Sequence, residues 1–134
     1  MADVFTKEKR SDVMSRIHSK NTLIELRVFR FLRKNKVYFK MHYDRILGKP
    51  DVAKPREKKA VFLDGDFWHG RDYKIRREKL PPYWSLKIAA NIKRDKKYRL
   101  LLKKQNWRIL RVWEHDLERK EKATLRKIYN FLSD

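Results

Sequence analysis

The chain of 134 residues contains no cysteine. That removes disulfides and any thiolate metal site from consideration. No apolar run is long enough to span a bilayer and no signal peptide is visible, so a cytoplasmic protein is expected. No amphipathic anchor or lipidation site argues for a membrane surface. Internal repeats and low-complexity linkers are missing as well, and 1–134 reads as a single domain with one core. Acidic residues are scarce beside basic ones, 17 against 37, which leaves a net charge of +20. The basic excess runs along the whole chain rather than sitting in a tail. On so small a domain it favours a polyanionic partner, most often nucleic acid, over a surface tuned only for solubility. Hydrophobic residues, at 41%, suffice for a core and argue against global disorder.

The spacing of apolar residues predicts an α/β order, α-α-β-β-β-α-β-α. Thr6 caps a first helix over Lys7–Ile17. Thr22-Leu-Ile-Glu25 is a capping-box pattern that opens a second helix running to about Lys34. Ile24, Val28, Phe31 and Leu32 fall on one face of it, and Phe29 widens that face. Glu25 projects into the same arc, where an acid serves either as a buried cap or as part of a site. Strands are expected at Val37–Tyr43, Asp51–Lys54 and Lys59–Leu63, the last an unbroken apolar run typical of a central strand. After Pro81-Pro82, a long helix extends to Lys104. Its apolar stripe is interrupted by Asn91 and Asp95, so that part of the helix is expected to face a polar site. Trp107–Trp113 reads as a further strand. A last helix starts at His115-Asp116 and ends near Leu132, with Leu125, Ile128, Tyr129 and Leu132 inward.

Chemistry concentrates in Leu47–Gly70, LGKPDVAKPREKKAVFLDGDFWHG. Asp51 begins one strand and Asp64 ends the next, so antiparallel neighbours can place the two side by side. Two carboxylates at about 4 Å repel by roughly 4 kcal/mol at an effective dielectric of 20. A divalent cation offsets that, and hard oxygen ligands (two carboxylates and a carbonyl such as that of Leu63) suit Mg²⁺. His69, whose unperturbed pKa is near neutral, is placed to activate a water beside such a metal. Metal, activated water and a basic surface together describe phosphodiester hydrolysis. Asp51 or Asp64 taken alone would more simply be a strand-end turn residue. The pair with His69 and Glu25 favours the site. Phe67-Trp68, adjacent aromatics in a loop, form a candidate wedge between bases, with Met14 and Trp84 as further candidates or ordinary core residues.

These residues resemble the very short patch repair (Vsr) endonuclease family, over about Arg10–Leu117. The resemblance rests on Arg10-Ser-Asp-Val-Met-Ser-Arg-Ile17, Asn21-Thr-Leu-Ile-Glu25, Gly48-Lys-Pro-Asp51 and Val61-Phe-Leu-Asp-Gly65. It continues through Phe67-Trp-His-Gly70, Trp84, Lys87-Ile88, Asn91, Arg94-Asp95 and Gln105–Glu114. It implies a PD-(D/E)xK-like nuclease fold, a central mixed sheet flanked by helices. It implies a Mg²⁺-dependent DNA mismatch endonuclease that nicks one strand 5′ to the thymine of a T:G mismatch, the product of 5-methylcytosine deamination. Asp51 would be the metal carboxylate, with the Leu63 carbonyl as second ligand, while Asp64 remains a candidate ligand from the strand-end pairing alone. His69 would be the base or water-orienting group, and Glu25 would support the metal-bound water or His69. Phe67, Trp68 and Trp84 would wedge beside the mismatch with Met14 opposing them. Lys87 and Asn91 would contact the mismatch or its flanking bases, and Arg94 the DNA. Double-stranded mismatched DNA is the expected partner, mismatch-repair proteins are further candidates, and a monomer is the expected state.

One departure is plain. The family's structural zinc is held by cysteine and histidine around the Phe-Trp-His triplet and after the Trp-Glu pair. Here those places carry Asp66, Arg71 and Tyr73, and His115. No zinc is expected, and Asp66, Arg71 and His115 are expected to form an ion-pair and hydrogen-bond cluster instead. Two other readings stay open: a restriction-type or structure-specific nuclease on the same fold, and a non-catalytic DNA-binding module.

Overall fold

The computed structural model describes residues 23–66 and 81–134. The expected first helix, Met14, the Thr22 cap, Phe67-Trp68-His69 and Arg71 lie outside those residues. Helix α1 covers residues 23–34 of the described chain. Ile24, Val28, Phe29 and Leu32 are buried on it, as their spacing predicts. It stops where Lys36 takes a left-handed backbone, φ 57°, and Val37 N–H bonds back to Leu32 O.

Strand β1 is Lys40–Met41, β2 Val52–Lys54 and β3 Lys59–Asp64. Helix α2 spans Pro82–Lys104 and β4 Arg108–Trp113. Two helices close the chain, α3 Glu114–Arg119 and α4 Glu121–Ser133. The sheet order is β1-β2-β3-β4, antiparallel for the first two pairs and parallel for β3–β4. The parallel pair requires a crossover, and α2 lies within it. The result is an α/β fold, a mixed sheet flanked by helices, as the resemblance implies.

Strand alternation sorts the sheet into two faces. Val52, Val61, Leu63 and Val112 join Val28, Leu32, Leu117, Ile128 and other side chains of α1, α3 and α4 in one core cluster. The next residues along, among them Phe62, turn to the opposite face. There α2 lies close, since Phe62 and Tyr98 of α2 both flank Gly48. Trp84, Ile88 and Leu102 are the buried residues of α2. Burying a side chain of this size contributes about 1.5–3 kcal/mol, so both layers are anchored mainly by these rows.

Three expectations are corrected. The first strand is two residues rather than Val37–Tyr43, because left-handed residues at Lys36 and His42 bracket it and only Lys40 and Met41 enter the ladder. The last helix is broken at Lys120, whose φ −133°, ψ 53° is not helical. Along one unbroken helix, at ~100° per residue, Leu117 would point about 80° away from Leu125. The break lets both enter the core. Tyr129, at the edge of the α4 stripe, stays 36% exposed instead of turning inward. Lys59, by contrast, is buried within β3. Its Nζ donates to Leu132 O at 3.2 Å and to Asp134 O, and Lys54 Nζ donates to Leu132 O at 3.0 Å. Two cations thus complement the negative end of α4 and hold it to the sheet.

Candidate active site

The β1–β2 register places the central groups. Lys40 faces Ala53 and Met41 faces Val52. The pairing continues past the strands, since His42 N–H bonds to Asp51 O and Tyr43 N–H to Pro50 O, both at 3.0 Å. His42 therefore stands directly across from Asp51. Its φ of 47° is left-handed, a conformation in which His is enriched among non-glycine residues. Between the two strands, Gly48 takes φ 79°, and a Cβ there would meet Phe62 Cε1 at 3.0 Å and Tyr98 at 3.5 Å. Backbone conformation and close approach both require glycine at this point of the Gly48-Lys-Pro-Asp51 motif.

Leu63 N–H donates to Asp51 Oδ2 at 2.7 Å, which locks the carboxyl against β3. Glu25 reaches in from α1, and its Oε2 lies 3.5 Å from His42 Nε2. The ring of Phe29 meets His42 edge-on at 5.6 Å and helps to orient it. One ligand atom each from Glu25, His42 and Asp51 lies within 4.8 Å of the others. Burial pushes the Asp51 carboxyl up to about 8, with the Glu25 and Asp64 charges and a Glu25 hydrogen bond adding to it and the Leu63 N–H opposing it. So much negative charge in so little water fits a divalent cation, for which Glu25, His42 and Asp51 supply two oxygen ligands and one nitrogen ligand.

Asp64, at the end of β3, is also buried but is differently engaged. Arg111 Nε on β4 donates to its Oδ2 at 2.5 Å. The same guanidinium reaches Asp95 at 3.8 Å and lies over the Trp113 ring at 4.0 Å. Asp64 thus borders the Glu25–His42–Asp51 group without belonging to it. A cavity of about 600 Å³ joins these parts. Glu25, Asp51 and Asp64 line it from α1 and the sheet, and Arg94, Asp95 and Arg99 line it from α2. Leu63 lines it too, with its N–H spent on Asp51. The polar interruption of the α2 stripe thus delivers Asp95 to the cavity wall.

Of the residues expected to touch DNA, Lys87 is exposed with its Nζ 5.9 Å from the Tyr83 ring centroid, and Arg94 is half-exposed beside Asp95 at 3.4 Å. Asn91 is half-buried on the same helix. Trp84 is 1% exposed and packs edge-on against Tyr83 at 4.9 Å, so in the free chain it is a core residue. Of the cluster expected in place of zinc, Asp66 Oδ1 accepts the His115 backbone N–H at 3.3 Å, and Asp66 N–H donates to Glu114 Oε1 at 3.0 Å. The contact is to the His115 backbone rather than its imidazole.

Two residues of this site escape a reading of the sequence. His42 looked like part of an ordinary strand, and only the hairpin register turns it toward Asp51. Arg99 was one cation among many on a basic helix. Its spacing of four from Asp95, on the interrupted stripe, was the available signal.

Comparison with known proteins agrees with the geometry. Residues 2–75 match the family model described as DNA mismatch endonuclease Vsr. The chain is 37% identical to the type II nicking enzyme V.NmeAIP of Neisseria meningitidis serogroup A, over 98% of this chain and 94% of that protein. It is 32% identical to V.NmeDIP, a type II nicking enzyme of N. meningitidis serogroup C, over 98% and 91%. It is also 32% identical to the DNA mismatch endonuclease Vsr of Escherichia coli K12, over 92% of this chain and 81% of that one.

Proposed function

The chain belongs to the DNA mismatch endonuclease Vsr family and is an endodeoxyribonuclease, and on that premise we propose that it nicks one strand of duplex DNA 5′ to the thymine of a T:G mismatch, using Mg²⁺. The observation that carries this reading is the Glu25–His42–Asp51 group, of which Glu25 and Asp51 line a cavity with cationic side chains in its wall. In this reading Asp51, Glu25 and His42 would hold the cation, the Leu63 carbonyl would be a further ligand, and Asp64 lies beside them bound to Arg111. Bound there, Mg²⁺ would supply Lewis-acid activation of the phosphate and neutralise charge. His69 takes the proton of the attacking water, and Glu25 holds its neighbours in place. Phe67, Trp68, Trp84 and Met14 open the duplex, with Trp84 leaving its packed position against Tyr83 to do so. Lys87, Asn91 and Arg94 contact the DNA alongside.

The test is nicking of a labelled T:G duplex with Mg²⁺, beside a matched duplex. The parent cuts the T:G strand and Asp51→Ala loses at least about a hundredfold in rate. Binding of the Asp51→Ala variant survives because the basic surface is intact. Cleavage by Asp51→Ala at the parental rate would place the active site elsewhere. A second reading is favoured by the naming of two relatives as type II nicking enzymes: the substrate is a different mismatch or a matched recognition sequence. Faster nicking of a matched duplex than of T:G would select it.

A further inference from the structure

The cavity beside Asp51 presents a problem that the acidic group does not solve. A phosphodiester is an anion, and Glu25, Asp51 and Asp64 all border the space that it must enter. Like charges about 4 Å apart repel by roughly 4 kcal/mol at an effective dielectric of 20. Among the described residues, three side chains that are always or ordinarily cationic share the wall: Lys49, Arg94 and Arg99. Lys49 is exposed on the Gly48 loop, and Arg94 is half-exposed and already pairs with Asp95. Arg111, close by, is committed to Asp64, Asp95 and the Trp113 ring.

Arg99 differs from all of these. It sits half-buried on α2, one turn beyond Asp95. Among the described residues, no carboxylate lies within ion-pair distance of it. Burial and the neighbouring Arg111 push its pKa below the ordinary arginine value, against the pull of Asp64 and Asp95. A guanidinium stays protonated even so. Among the described residues it is thus a half-buried cation without an ion-pair partner, with Asp64 and Asp95 acting on it only from farther off, and its place in the cavity wall leaves it able to receive an anion from outside.

We propose that Arg99 binds the DNA phosphate that undergoes cleavage, donating its planar fork of N–H groups to the non-bridging oxygens within the cavity that Asp51 also lines. This rests on the mismatch-endonuclease reading and deepens it. The fork suits phosphate because two parallel N–H groups match two oxygens. Arg99 forms and breaks no bond in the reaction. It offsets the charge that grows on those oxygens as water attacks phosphorus and the leaving oxygen departs.

The experiment compares the parent, Arg99→Gln and Arg99→Lys on the labelled T:G duplex with Mg²⁺. Single-turnover nicking at saturating DNA should fall about a hundredfold or more in Arg99→Gln, the usual loss for one preorganised donor. Arg99→Lys should recover part of it, while the affinity for DNA changes by no more than about threefold, since the outer basic surface dominates binding. In a second arm that needs no cleavage, inorganic phosphate with Mg²⁺ should raise the melting temperature of the parent and not that of Arg99→Gln. Nicking by Arg99→Gln within about threefold of the parent would overturn the proposal. So would a large loss of nicking with the phosphate response intact, because Arg99 would then act through packing. A parent that nicks no duplex removes the mismatch reading alone, and the phosphate arm then decides for or against Arg99.

Discussion

Asp51 titrates in the folded chain near 8 and in the unfolded chain near 3.8. Between those values the metal-free folded state holds a proton that the unfolded state has released. By linkage, the stability this group contributes is complete below about 3.8 and is lost as pH rises through about 8. A cation bound at the carboxylate must displace that proton. Apparent Mg²⁺ affinity should therefore tighten as pH rises and level off above about 8, a trend that titration calorimetry at several pH values would detect. Asp51→Asn removes the buried charge and keeps an acceptor for the Leu63 N–H. In EDTA at pH 8 it should be more stable than the parent by about 1–3 kcal/mol in denaturant unfolding, while nicking is lost. An unchanged midpoint would mean that Asp51 is not held in the environment described. Asp51 and Glu25 were legible because a strand-end acid and an acid on an apolar helix face each break a pattern. His42 breaks none, and its role depends on which residue of a distant strand it meets.

At the scale of elements, periodicity carried most of the order. The rows of α1, β3 and α2 are long enough for their apolar residues to declare a face, and each lies close to its expected span. Short elements did not declare themselves. β1 ends where the backbone turns left-handed at His42, and no glycine marks that turn. The break at Lys120 likewise lacks glycine or proline and follows from the separate packing of Leu117 and Leu125. The Gly48 loop is the element on which the site most depends. Gly48→Ala forces a left-handed alanine, which costs about 1–2 kcal/mol, and pushes on the Phe62 ring at 3.0 Å. Because Asp51 follows three residues later, nicking should fall by more than the loss of stability accounts for. Parallel melting and nicking assays would separate the two effects, and a variant as active as the parent would show that the loop does not set the Asp51 position.

For the whole molecule, the charge of +20 dominates encounter with DNA. If six or more phosphates are contacted, affinity should fall by about a thousandfold between 50 and 200 mM salt, with a linear log–log slope. A flat salt response in fluorescence anisotropy would mean that the basic surface is not the DNA-binding face. Among the described residues, no helix is long and apolar enough to cross a membrane. The cavity is assembled from segments far apart in the chain, with Glu25 and Asp51 before the crossover and Arg99 within α2. This is why composition pointed to nucleic acid readily, while pairwise distances across the site required the fold. The continued pairing of His42 with Asp51 has one more consequence. Were β1 to slip by one residue, His42 would turn to the opposite side of the sheet. A cation held by His42 and Asp51 together would bind only the correctly aligned hairpin. Added during refolding, it would act as a proofreader of strand alignment, drawing misaligned chains into the native population by mass action.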